Sequence, residues 1–157
     1  MLTEANIDLI RRFWQTSEQG NIDEMVALWA VDAINHGGQT TQASRRPPTG
    51  PEGLKRVFKS LLTAFPDRKY LIEDVIATGD KVVCRLTVSG THLGIPEIPV
   101  EGGMLMTVPP TGKTYIVQQI HIFRIENGKI AEHWAVRDDL GMMQQLGVVA
   151  CTLDVLS

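Results

Sequence analysis

The chain has 157 residues, a formal net charge of −3 and 43% hydrophobic residues, which is ordinary for a globular protein. Its acidic balance disfavours a nucleic-acid partner, and no run of about 18 apolar residues predicts a membrane span. The two cysteines lack zinc-like spacing, and the first residues do not resemble a signal peptide. We therefore expect a cytoplasmic, metal-free protein with a single domain, whose core covers about residues 5–147 and whose tail covers 148–157.

Three helices are predicted before the first long strand. Thr3 is a candidate cap for the first, and Asn21 with Glu24 three residues later is typical of the start of the second. The third begins at Gly50-Pro51 and ends at Pro66. The apolar residues that recur with helical spacing are Ile7, Ile10, Phe13, Trp14, Met25, Leu28, Trp29, Leu54, Val57, Phe58, Leu61, Leu62 and Phe65.

The rest of the chain is predicted to be mostly strand. A short extended piece and a loop occupy 34–48, and strands at Tyr70–Thr78 and Lys81–Ser89 form an antiparallel pair. A loop rich in proline and glycine leaves room only for a short strand at Met104–Val108. A last helix covers Asp139–Leu146. This order favours an α+β fold: a cone-shaped α+β barrel in which a curved mixed or antiparallel sheet carries N-terminal helices over a central cavity.

A hairpin from Ile116 to Arg137 around an Asn-Gly turn is the most informative segment. Because side chains alternate along a strand, Gln119 and His121 lie in an otherwise apolar row with Phe123. An unpaired polar group in such a row costs about 1–3 kcal/mol. The row therefore indicates a pocket in which a polar ligand meets these side chains.

The register of the hairpin depends on the length of its loop. A three-residue loop that ends at Gly128 places His121 opposite His133. A two-residue loop places His121 opposite Trp134 and separates the two imidazoles. We prefer the three-residue loop, in which one face carries both histidines and Gln119.

The opposite face of the hairpin is apolar, with Arg124 and Glu132 close enough to pair. Exposed apolar patches usually mark an interface, so we expect a homodimer that packs sheet against sheet. The apolar residues of this face are Ile120, Ile122, Trp134 and Val136.

The order of elements resembles the SnoaL-like polyketide cyclase family of the nuclear transport factor 2-like superfamily. The segments that carry the resemblance are Asn-Gly-Lys-Ile-Ala-Glu-His-Trp at 127–134 and Leu-Gly-Met-Met-Gln-Gln-Leu-Gly at 140–147. The resemblance extends from Ile7 to Gly147. It implies a cyclase that closes a ring by an intramolecular aldol reaction, with an aspartate as the base. A histidine, a glutamine and an asparagine then help to hold the enolate and the ring ketones.

Carried over residue by residue, the resemblance assigns the histidine to His121, the glutamine to Gln119 and the asparagine to Asn35. The position of the aspartate is Ala135 in this chain. The nearest carboxylate farther along is Asp138, which is either a relocated base or the N-cap of the last helix.

The remaining candidates have structural alternatives as well. His133 is either a partner of His121 or a residue that fills the sheet, and His121 itself is alternatively a core histidine bonded to Gln119 or His133. Trp14 and Phe123 are predicted to line the substrate cavity. Arg137 neutralises Asp138, contacts an anionic substrate, or is a solvated charge at the strand end.

Three functional hypotheses remain open. The first is a cofactor-free enzyme that acts on a small, apolar, oxygenated carbonyl compound, with His121 and Asp138 as catalytic residues and Asn35, Gln119 and His133 as binding residues. The second is a dehydratase, isomerase or hydroxylase-type variant that uses the same pocket. The third is a non-catalytic protein that binds a small hydrophobic ligand.

Overall fold

The structure, a computed structural model, describes residues 2–36, 50–98 and 105–151. Four helices and five strands lie within these ranges. In chain order they are α1 (Leu2–Glu18), α2 (Ile22–Ala27), β1 (Trp29–Asn35), α3 (Gly50–Ala64), β2 (Lys69–Thr78), β3 (Lys81–Thr91), β4 (Thr114–Glu126), β5 (Lys129–Arg137) and α4 (Asp139–Gln145).

The five strands form one curved sheet in the order β1-β5-β4-β3-β2. β1 pairs in parallel with β5, and the other neighbouring strands are antiparallel. α1 packs against β2 and β3, and α3 packs against β1, so the N-terminal helices cover one face of the sheet. The predicted α+β fold is confirmed, with an open sheet whose edges are β1 and β2.

The core lies between α1 and the covered face of the sheet. Ile10, Phe13 and Trp14 recur on one side of α1 and are at most 4% exposed. The ring of Phe13 meets Trp14 at 4.8 Å and Phe123 of β4 at 5.4 Å, both edge to face. These aromatic contacts fix α1 across the middle of the sheet.

Three predictions of local structure are wrong. Thr3 lies inside α1, which begins one residue earlier. Trp29 belongs to β1 rather than α2, because the segment after Ala27 is apolar and partly β-branched and pairs with β5. The predicted strand at Met104–Val108 is instead a turn over 105–107, close to prolines that cannot donate ladder hydrogen bonds. Met104, the 37–49 part of the predicted loop and the tail from 152 onwards lie outside the described residues.

The β4–β5 hairpin has a two-residue loop, so the predicted three-residue loop is wrong. Glu126 pairs directly with Lys129. Asn127 has φ 50° and Gly128 has φ 71°, the left-handed conformations of a type I′ turn. This turn matches the twist of the flanking strands, which is why Asn-Gly favours it.

A β-bulge at Ala131 then shifts the register by one residue. With this shift, His121 is opposite Ala135 and Phe123 is opposite His133. The predicted direct pairing of His121 with His133 is therefore wrong. The two histidines nevertheless share the buried face of the sheet, as diagonal neighbours.

Candidate functional site

Four buried polar side chains form a continuous hydrogen-bonded line, which we call the polar line. Asn35 Oδ1 lies 2.7 Å from His133 Nδ1, and His133 Nε2 lies 2.8 Å from His121 Nδ1. His121 Nε2 lies 2.9 Å from Gln119 Oε1. All four residues are at most 8% exposed. The sequence-predicted residues of three strands therefore meet in one place.

The register of the sheet explains this placement. Parallel pairing of β1 with β5 sets Asn35 beside His133. The bulge at Ala131 turns His133 to the face that carries His121. Gln119 follows on the same face because it lies two residues before His121.

Aromatic rings enclose the two imidazoles. The ring centroids of Trp14 and His121 are 4.7 Å apart in an edge-to-face arrangement. Those of Phe123 and His133 are also 4.7 Å apart, with the rings inclined by 24°. Trp29 approaches His133 at 5.9 Å. The predicted cavity-lining residues Trp14 and Phe123 thus contact the polar line directly, and they shield it from water.

Both imidazoles of the line are held neutral. Burial lowers the pKa of His121 well below its ordinary value of 6.5, and His133, Arg137 and Arg68 lower it further. Burial, with a smaller effect of Arg137, lowers the pKa of His133 to about 3. At neutral pH each histidine therefore offers one N–H donor and one acceptor nitrogen.

Two arginines near the line were not predicted to be buried. The Arg137 side chain is 8% exposed and donates two hydrogen bonds of 3.0 Å to Asp139, not to Asp138. Arg68 is 5% exposed, with its guanidinium 5.4 Å from the centre of the Tyr70 ring. Alternation along the predicted strand puts Arg137 on the face of His133, but its position at the strand end was compatible with a solvated charge. Arg68 lies outside the predicted strands and had no such signal.

Asp138 is exposed and accepts a hydrogen bond from Gly141 N at 2.8 Å, as the N-cap of α4. The capping alternative is thus confirmed. Among the described residues, no hydrogen bond joins its carboxylate to His121. The base role of Asp138 stays a prediction.

A cleft of about 780 Å³ opens beside the hairpin turn and does not include the polar line. Trp29 lines the cleft and also contacts His133. Across the three described ranges, His, Cys, Asp and Glu side chains do not gather in threes as they would around a metal ion. The described helices include none with the length and apolar character needed to cross a membrane.

Solved structures place the fold in the nuclear transport factor 2-like class. A protein from Jannaschia sp. CCS1, described as a putative SnoaL-like polyketide cyclase, superposes with a TM-score of 0.76 at 20% identity, over 94% of each chain. AclR, described as a putative hydroxylase from Streptomyces galilaeus, gives 0.76 at 21% identity, over 98% of this chain and 88% of its own. IdmH, a putative polyketide cyclase from Streptomyces antibioticus, has a TM-score of 0.71 at 32% identity. The superposition covers 91% of this chain and 99% of the IdmH chain.

Sequence comparison identifies the family. The sequence model of the SnoaL-like polyketide cyclases matches residues 8–146. The chain is 30% identical over 144 residues to aklanonic acid methyl ester cyclase DnrD from Streptomyces peucetius. The alignment covers 91% of each chain. The protein belongs to the SnoaL-like polyketide cyclase family, and the resemblance noted from sequence is confirmed.

Proposed function

We propose that the protein is a cofactor-free cyclase-type enzyme that closes a ring in a small, apolar, oxygenated carbonyl compound. The observation that carries this proposal is the buried polar line, which joins His133 to the three residues that the family resemblance assigns to the substrate. A hydrogen-bonded polar row among aromatic rings suits a polyketide-like molecule, because the rings take its apolar surface and the polar groups meet its oxygens.

Gln119 is the residue best suited to contact the substrate. Its Oε1 is occupied by His121, whereas no described residue pairs with its Nε2 group. An amide N–H at this place would stabilise the negative oxygen of an enolate. Asn35, at the far end of the line, orients the histidines through His133.

The relatives suggest the first substrates to test. Their names refer to aklanonic acid methyl ester and to nogalonic acid methyl ester, the latter for a cyclase from Streptomyces nogalater. An intramolecular aldol addition conserves mass. Incubation with either ester should therefore give an isomeric product that separates by liquid chromatography and keeps the mass of the substrate.

The matched variants for this assay are Gln119→Leu and His92→Gln. The first removes the donor from the polar line, and we expect it to lower turnover at least about tenfold. The second changes another buried histidine that lies outside the line, and turnover should be retained. Equal turnover by wild type and Gln119→Leu would contradict the placement of the substrate.

A second candidate is a non-catalytic binding protein for a small hydrophobic ligand. It is favoured by Ala135 at the position of the family base and by the capping role of Asp138. Stoichiometric binding of an ester without conversion would support it. A product lighter by water, or heavier by oxygen, would instead identify a dehydratase or hydroxylase-type variant.

A further inference from the structure

In the orientation that the Asn35 and Gln119 amides adopt, the hydrogen bonds of the polar line take one more proton than two neutral imidazoles carry. Both ends of the line are amide oxygens, which only accept, so His133 Nδ1 and His121 Nε2 must both donate. The N···N contact of 2.8 Å between the rings needs a third proton. Two neutral imidazoles hold two ring protons. The arrangement is thus complementary to a histidine pair that shares one positive charge.

The geometry between the rings suits a shared proton. The ring planes are inclined by only 10° and the centroids are 5.1 Å apart. With nitrogens 2.8 Å apart, the rings meet edge to edge along the N···N axis rather than face to face. The lone pair of one ring therefore points at the N–H of the other, and the proton can lie on either nitrogen after a small movement.

We propose that His121 and His133 act together as a single base, in place of the carboxylate that Ala135 lacks. This inference rests on the proposed ring-closing function. The polar line offers charge stabilisation at both of its ends, through Asn35 Oδ1 and Gln119 Oε1. A lone histidine on this face would have neither the second ring nor the second amide.

The reaction needs no further reactant. Substrate binding first displaces the Gln119 side chain from His121 Nε2, which it otherwise covers at 2.9 Å. A C–H bond between two substrate carbonyls then breaks, its electron pair forms the enolate, and the proton binds His121 Nε2. The proton on His121 Nδ1 then passes to His133 Nε2, which moves the charge towards Asn35. The enolate carbon attacks the ketone carbon, and the resulting alkoxide takes the proton back from the histidine pair.

The observed orientation of Gln119 fits the enolate stage of this reaction. Its Oε1 accepts from a protonated His121, while its Nε2 remains for the enolate oxygen. With both imidazoles neutral, one end amide has to rotate and present its NH2 group to the line. Substrate deprotonation and the rotation of Gln119 are therefore coupled.

The surroundings limit this base to the substrate-bound state. Several titratable or charged groups lie around the histidine pair. They are Arg68, Arg137 with its partner Asp139, His36, and the Cys84 thiol on β3 opposite His121. The cations and burial oppose a positive charge on the histidines when no substrate is present. An enolate beside the pair supplies the opposite charge and favours the protonated form.

The test joins nuclear magnetic resonance of the free protein with kinetics. In ¹⁵N-histidine-labelled protein we expect a ¹⁵N–¹⁵N coupling across the His133–His121 hydrogen bond, and none at His36 or His92. Absence of this coupling overturns the inference whether or not the protein turns over substrate. A wild type that shows the coupling but converts neither ester points to failure of the proposed function, and the shared base then fails with it.

The kinetic arm uses His133→Gln, which keeps an amide for hydrogen bonding but cannot carry a proton. We expect kcat to fall at least about 100-fold with KM changed by less than about threefold, whereas His92→Gln keeps the wild-type kcat. His133→Ala should regain activity when imidazole is added, which a merely structural role would not allow. Unchanged kcat in His133→Gln, or no rescue of a folded His133→Ala, overturns the inference.

Discussion

Ala135 is the direct cross-strand partner of His121. By the family resemblance, this is the position of the aspartate that serves as base in the cyclases. Directly opposed Cβ atoms are about 4.5–5.5 Å apart, so a carboxylate at 135 would face the imidazole of His121. The methyl group of Ala135 provides neither charge nor hydrogen bond, and the chemistry of this face depends on its histidines.

Placing a carboxylate at position 135 should increase turnover by the protein. In Ala135→Asp we expect the new negative charge to raise the pKa of His121, which burial and positive neighbours lower in the wild type. Turnover of an aklanonic or nogalonic ester should rise at least about tenfold, since a positioned base contributes about 10²–10⁴ in rate. Ala135→Asn is the control of equal size without charge. Equal rates in the two variants would show that a carboxylate here does not act on the substrate.

Stability should depend on pH through the same two histidines. The folded-state pKa of both His121 and His133 is lowered from 6.5, so below pH 6.5 the unfolded chain binds more protons than the folded one. The free energy of unfolding then decreases as pH falls, by at most about 1.4 kcal/mol per pH unit for each histidine. Above pH 6.5 this stabilisation is fully present.

Urea titrations between pH 5 and pH 7.5 measure this dependence. In a variant with both His121→Gln and His133→Gln, the free energy of unfolding should depend less steeply on pH than in the wild type. Below pH 5.5 we expect the slope to be smaller by at least about 1 kcal/mol per pH unit. His92, whose pKa burial also lowers, is present in both proteins and its contribution cancels. Parallel curves would contradict the assignment of neutral, buried imidazoles.

Asp138 can be separated into its two predicted roles by a pair of substitutions. Asp138→Ala removes the hydrogen bond to Gly141 N and should cost about 1 kcal/mol of stability, measured by urea unfolding. Asp138→Asn keeps a capping oxygen but cannot act as a base. We expect it to retain both stability and turnover, and loss of turnover at unchanged stability would assign the base to Asp138 after all.

Sequence periodicity was sufficient to find two of the four residues of the polar line. The alternation of β4 placed Gln119 and His121 on its buried face without any knowledge of the rest of the fold. The resemblance supplied Asn35, which lies 98 residues away from His133 in sequence and meets it only because β1 pairs with β5. Such a long-range parallel contact has no local signal.

The register of His133 could not be predicted from local rules. Asn127-Gly128 correctly indicated a tight turn, but a two-residue loop alone would have put Trp134 opposite His121. The bulge at Ala131 shifts the pairing by one residue, so that Ala135 lies opposite His121 instead. No particular residue type predicts a bulge of this kind. The pairing of Arg137 with Asp139 was missed although the start of α4 was predicted correctly, because the expected partner was Asp138, whose carboxylate caps the helix instead.

The two cysteines should differ in reactivity. Burial raises the pKa of the Cys84 thiol to about 11, and its side chain is fully buried, whereas Cys151 is half-buried. Because the thiolate is the reactive form, only Cys151 should react with Ellman's reagent in the native protein, and both should react in denaturant. Cys151→Ser is the control and should leave no rapidly reacting native thiol. Fast reaction of that variant would contradict the packing around Cys84.

The outer face of the sheet is where we expect a dimer interface. Ile116, Ile120 and Val136 are 63%, 46% and 76% exposed, and Trp134 beside them stacks on His36 at 5.1 Å. A patch of this kind is costly to leave in water, so we propose that a second copy of the chain covers it. Its expected partner is the same face of that copy, since sheets pack well face to face.

A charge in the centre of this patch should separate the copies. Val136→Lys is expected to sediment as a monomer in analytical ultracentrifugation, because a lysine there would be buried against an apolar surface. Val31→Lys is the matched control, since Val31 is 83% exposed but lines the cleft beside the hairpin turn. It should sediment like the wild type. A monomeric wild type would contradict the dimer, and a dimeric Val136→Lys would move the interface to another surface.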